Sequence, residues 1–68
     1  MLALKIQMMN GMIYDDEFED VSEFIRLMMD DFPPMDDKDV ILEVVRDGEK
    51  YDFSGTANEL YEHWMNEN

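Results

Sequence analysis

Val40-Ile41-Leu42-Glu43-Val44-Val45-Arg46-Asp47-Gly48-Glu49-Lys50-Tyr51-Asp52-Phe53 reads as one β-hairpin. Its first arm is rich in β-branched residues and alternates, with Val40, Leu42 and Val44 on one side and Ile41, Glu43 and Val45 on the other. Asp47-Gly48 suits a two-residue type I′ turn, whose central residues both need positive φ. Such a turn pairs Arg46 with Glu49, Val44 with Tyr51 and Leu42 with Phe53. That register gives both arms an apolar inward face.

Beyond the hairpin, Ser54-Gly55 breaks the strand and Thr56 caps a last helix. Glu59, three residues on, completes a capping box, and Ala57, Leu60, Tyr61, Trp64 and Met65 form the apolar stripe. Upstream, residues 33–38 are a polar linker. Before it lies another helix, with Asp20 as N-cap, Glu23 in the capping-box position and Val21, Phe24, Ile25, Met28 and Met29 as its stripe. Pro33-Pro34 ends that helix. At the start of the chain Leu2, Leu4, Ile6 and Met8 alternate as a half-buried strand over residues 2–9, and Asn10-Gly11 fits a second type I′ turn. Met12-Ile13-Tyr14 is a short return strand, which Asp15 and Asp16 weaken.

The two halves resemble each other at a shift of 36 (Leu4 to Val40), although the turns are out of step by one residue. Asp20 and Glu23 then match Thr56 and Glu59. The expectation is a single acidic α+β domain over residues 1–68, with a candidate internal repeat of 2–32 and 38–68. It has two layers: an antiparallel sheet of three to four strands with both helices on one face. The order is ββαββα, or βαββα if residues 12–14 are not a strand.

A chain of 68 residues buries about 60% of its unfolded surface, which leaves room for one modest core. Its 46% hydrophobic content, with four Phe, three Tyr and one Trp, is too apolar for a disordered acidic tail. There is no cysteine, so disulfides and thiolate chemistry are excluded, which fits a cytoplasmic protein. The N-terminal residues do not read as a signal peptide, and no apolar run is long enough to span a membrane.

Catalysis finds little support. The one histidine, His63, lies four residues after Glu59 and reads as a surface histidine paired with that carboxylate, against the alternative of a general base or pH switch. Ser22 and Thr56 sit at helix starts, where capping accounts for them. The acid runs lack the glycine that a calcium-binding EF-hand loop needs, so neither a metal nor any other cofactor is expected.

Charge is the main functional signal. Eighteen Asp and Glu face five Lys and Arg, a net of -13. A field of that sign repels nucleic acid and anionic membrane and attracts basic surfaces, above all the nucleic-acid-binding faces of other proteins. The candidate contacts are Asp15, Asp16, Glu17, Glu19, Asp20, Glu23, Asp30, Asp31, Asp36 and Asp37. Carboxylates on successive helical turns lie about 5–6 Å apart, near the spacing of backbone charge in nucleic acid. The alternative is a solvated, solubilising face. In size, charge and fold style the chain resembles small phage-encoded inhibitors of restriction, repair and CRISPR enzymes. That resemblance implies a non-enzymatic DNA mimic, an anti-restriction or anti-CRISPR protein. The other class is a regulatory adaptor that docks through an apolar hairpin face made by Met9, Met12 and Tyr14. A free edge along residues 2–9 would also permit a homodimer.

Overall fold

The computed structural model describes residues 1–67. In chain order the elements are β1 (Leu2–Gln7), β2 (Ile13–Phe18), α1 (Val21–Met28), β3 (Val40–Arg46), β4 (Glu49–Tyr51), β5 (Gly55–Thr56) and α2 (Ala57–Glu67). The strands make one antiparallel sheet of order β2-β1-β3-β4, and β5 pairs with the start of β3. The fold is α+β in the ββαββα order, with β5 as a two-residue addition. Leu2, Leu4, Ile6, Phe18, Ile41 and Val44 share the buried face of the sheet. They pack with Phe24 of α1 and with Ala57, Leu60 and Trp64 of α2, so both helices cover that one face. The radius of gyration, 11.0 Å, equals the roughly 11 Å of a compact chain of this length, despite the self-repulsion of its charge.

The second hairpin forms its turn and the pairs next to it as read. Asp47 (φ 55°) and Gly48 (φ 83°) both take positive φ, and Arg46 pairs with Glu49 and Val44 with Tyr51. Leu42 does not pair with Phe53. The β1–β3 register shifts between Lys5 and Ile6, which leaves Leu42 as the extra residue of a β-bulge. An extra residue reverses the alternation, so Ile41 and Val44 both point inward while Val40 and Leu42 are 41% and 42% exposed.

The first hairpin differs more. Gly11 takes φ 91°, Asn10 does not take positive φ, and Gly11 N–H donates to Met8 O at 2.9 Å. With Met8 N–H bonded to Met12 O at 2.7 Å, the connection is a three-residue loop with glycine in the left-handed position, not a two-residue type I′ turn. β2 also runs on through Asp15, Asp16 and Glu17 to Phe18, well past the short strand the acids seemed to stop. It is an edge strand, where outward carboxylates meet water, and Phe18 anchors its end in the core. β1 is therefore interior, bonded on both sides, and residues 2–9 offer no free edge for a homodimer.

The Thr56–Glu59 capping box closes in both directions, whereas at α1 the Asp20 cap forms and Glu23 reaches back one residue further, to Glu19. Asp20 Oδ1 accepts from Glu23 N–H at 2.8 Å, and Glu23 Oε1 accepts in return from Glu19 N–H at 3.1 Å. Thr56 Oγ1 accepts from Glu59 N–H at 3.2 Å, and Glu59 Oε1 accepts from Thr56 N–H at 3.0 Å. The helical stripes are narrower than the spacing implies, since Met29 and Met65 are exposed; β1 stops at Gln7, and Met8, past its end, is exposed too. Met35, from the linker, takes the vacant place in the core and is 4% exposed.

Two substitutions separate backbone strain from crowding. A Cβ on Gly48 meets open space, so Gly48→Ala should cost only the left-handed backbone, about 1 kcal/mol. A Cβ on Gly55 (φ 149°) meets Glu59 Oε1 at 3.1 Å and the Phe53 ring at 3.2 Å, so Gly55→Ala should cost at least twice as much by loosening the α2 cap. Urea unfolding of both variants gives the comparison.

Candidate functional site: the acidic edge strand and the groove beside Tyr14

The acids do not act as one group. Asp20 and Glu23 are engaged in the α1 cap, and Glu19 lends its N–H to it. Asp30 Oδ1 accepts from the Asp31 N–H at 2.7 Å, in the turn that follows α1. Asp36 and Asp37 belong to a tight turn ending at Asp39. Asp36 Oδ1 accepts from Lys38 N–H at 3.0 Å, and Asp39 Oδ2 accepts from Asp36 N–H at 3.1 Å. That turn is bonded to the start of α2, since Ala57 N–H donates to Asp39 O at 2.8 Å and Asn58 N–H to Asp37 O at 3.1 Å. Two orphan donors of the helix are thereby satisfied.

Asp15, Asp16 and Glu17 are different. They are consecutive residues of an edge strand, not of a helix, so the helical spacing argument does not apply to them. A strand rises about 3.3 Å per residue and its side chains alternate between faces, so Asp15 and Glu17 lie about 6.6 Å apart on one face with Asp16 on the other. Asp15 and Glu17 project from the uncovered face of the sheet, opposite Lys5 and Ala3. Glu43 flanks Lys5 from the other side, so one cation sits between two carboxylates in that row. Asp16 faces the helix side, opposite Leu4, and its Oδ1 accepts from the Glu17 N–H at 2.9 Å. The Glu17 N–H therefore points away from β1, and by antiparallel alternation the backbone groups of Ile13, Asp15 and Glu17 line the open edge. Among the described residues one side-chain ion pair closes within 4.0 Å, Arg26 to Glu23 at 3.8 Å.

Next to this strand lies a surface groove of about 520 Å³. Met9, Tyr14, Pro33 and Pro34 are among its walls, while Met35 and Asp39, both buried, reach it from below. Tyr14 projects on the same side as Asp16, and its hydroxyl donates a long 3.5 Å bond to Pro34 O. Partial burial pushes the Tyr14 phenol above its usual range, and the negative fields of Asp39 and then Asp16 push it further. Met9 and Tyr14 line one groove, but Tyr14 lies on the helix side of the sheet, not on a free hairpin face, and Met12 lies outside the groove on the exposed turn. The linker half of the groove had no signal in the sequence beyond Asp36 and Asp39, spaced as an i, i+3 pair.

His63 does not pair with Glu59, whose carboxylate is occupied by the cap. Its Nε2 lies 2.7 Å from the Tyr51 hydroxyl, and its ring leans on Tyr51 and Phe53. No group of three metal-ligating side chains converges among the described residues, and no described helix is long and apolar enough to cross a membrane. No protein-family model matches the chain, and neither a curated protein nor a solved structure matches it.

The raised Tyr14 phenol favours the neutral form in the folded state. Its contribution to stability is complete below the unfolded value of about pH 10 and is lost as pH rises through the higher folded value. The stability difference between wild type and Tyr14→Phe should therefore shrink above pH 10, and the variant should lack the most alkaline phenolate absorbance step. Urea unfolding and ultraviolet titration from pH 8 to 12 check both.

Proposed function

We propose that the chain is a non-enzymatic inhibitor that mimics the charge of nucleic acid and occupies the basic groove of a DNA- or RNA-binding protein. The observation that carries this reading is the Asp15-Asp16-Glu17 edge, three consecutive carboxylates fixed on a strand and left without basic partners beyond Lys5. A disordered acidic tail would have to be ordered on binding; a strand held in a sheet does not incur that entropy. Asp30, Asp31, Asp36 and Asp37 extend the negative field past α1, and Glu19, Asp20 and Glu23 contribute charge from the cap. The partner class is a nuclease of bacterial defence, with an anti-restriction or anti-CRISPR role in the cytoplasm. The inhibitor itself binds neither nucleic acid nor membrane.

A second reading rests on the groove. A small adaptor would dock through Met9 and Tyr14, with Met12 at the rim, and use its charge for solubility alone.

Salt and DNA competition separate the two. Screening shortens from about 30 Å at 0.01 M to about 8 Å at 0.15 M salt, so mimicry should give capture of bacterial nucleic-acid enzymes that is strong at low salt, weak at physiological salt and displaced by duplex DNA. Charge reversal of Asp15, Asp16 and Glu17 to Lys should weaken that capture roughly a hundredfold, since each exposed pair contributes about 0.2–1 kcal/mol and reversal replaces attraction by repulsion. Folding should suffer far less than capture, because overall self-repulsion falls although Lys5 loses its opposite charge and the Glu17 N–H its acceptor. Capture by the triple variant equal to wild type would falsify the mimicry reading. A partner that survives high salt and ignores DNA would favour the adaptor.

A further inference from the structure

The groove beside Tyr14 combines two features that seldom suit the same ligand. Its walls are apolar, made by Met8, Met9, Pro33 and Pro34 with the Tyr14 ring among them. Asp36 and Asp39 also line it, and Asp39 is 4% exposed, so its charge is held where water screens it poorly. One Asp39 oxygen accepts the Asp36 N–H; that single bond leaves acceptor capacity on the carboxylate. Tyr14 registers the same field, because Asp39 and Asp16 both disfavour its phenolate.

A purely apolar occupant would desolvate these carboxylates without replacing their hydrogen bonds. An anion is repelled. A small hydrated cation would leave the Met, Tyr and Pro surface uncovered. The ligand that answers both halves is a cation on an apolar stem. Of the two natural candidates, arginine fits better. Its guanidinium is planar, weakly hydrated and rich in donors, and it stacks on aromatic and flat apolar faces while its methylenes lie along hydrophobic wall.

We infer that this groove is an arginine-binding site that receives an arginine side chain from the basic surface of the partner protein. The inference rests on the proposal that the partner is basic. It adds that recognition is not by charge alone: one arginine is seated beside Tyr14 while the Asp15–Glu17 edge engages the surrounding basic surface. The methionines supply adaptable contact for the stem.

The test needs no partner. With methyl-labelled methionine, the protein is titrated with N-acetyl-arginine methylamide and followed by NMR. The Met8, Met9 and Met35 methyls and the Tyr14 ring should shift and saturate at a dissociation constant on the order of 1 mM, as suits a ligand of this size. The citrulline analogue has the same shape without the charge and should bind at least tenfold more weakly, and the lysine analogue should also be weaker. Asp36→Asn with Asp39→Asn keeps both acceptors and should lose about tenfold for the arginine probe. If the double variant does not fold, Asp36→Asn alone, at an exposed position, should lose about threefold. Equal binding of the citrulline or lysine analogue, undiminished binding by a folded variant, or shifts centred on Asp15 and Glu17 instead of the groove would overturn the inference. None of those results touches DNA-competed capture, which tests the mimicry proposal separately.

Discussion

Phe24 lies edge-on between Phe18 and Trp64, with ring centroids 5.5 Å away on each side and interplanar angles of 77° and 86°. Those rings come from β2, α1 and α2, so one aromatic row joins the edge strand to both helices. Edge-to-face contact of this kind adds about 0.5–1.5 kcal/mol per pair to the burial of the rings. It matters here because the protein works against its own charge. The strand that carries Asp15, Asp16 and Glu17 has one sheet neighbour, and its far end is held in the core by Phe18. An acidic edge of this density is sustained by an apolar anchor, the buried ring of Phe18.

Local chemistry was legible wherever a few adjacent residues settle the outcome. Thr56 with Glu59 and Asp20 with Glu23 form their caps because a side-chain oxygen three residues from an orphan N–H has few better options. Asp47-Gly48 forms its turn because few other residues accept positive φ in succession. What escaped depends on the sheet as a whole. The bulge at Leu42 arises only where β1 and β3 are aligned, and it decides that Ile41, not Leu42, enters the core. The length of β2 escaped for a related reason. Asp15, Asp16 and Glu17 have poor strand propensity, yet an edge position bordering water removes the cost of burying them.

For the site, the sequence identified the acids but not their company. A count of carboxylates cannot distinguish Asp20, engaged in a cap, from Asp15, which projects from the open sheet face. Nor could it place Asp39, the one buried polar residue among those described. Asp39 and Met35 lie in a linker without periodicity, and they reach the groove only because the linker is bonded to the first turn of α2. The nearness of Met9 and Tyr14 was legible because both follow from the position of the first turn. The other wall comes from residues about twenty positions away, through the contact of Tyr14 with Pro34.

The Asp16 carboxylate that bonds the Glu17 N–H also closes one donor on the open edge of the sheet. Two copies meeting edge to edge would set acids opposite acids and find that donor already taken, so these three residues disfavour edge-to-edge pairing of the chain with itself. Neutral residues on this strand would remove both the repulsion and the occupied donor, and leave a plain edge open to pairing.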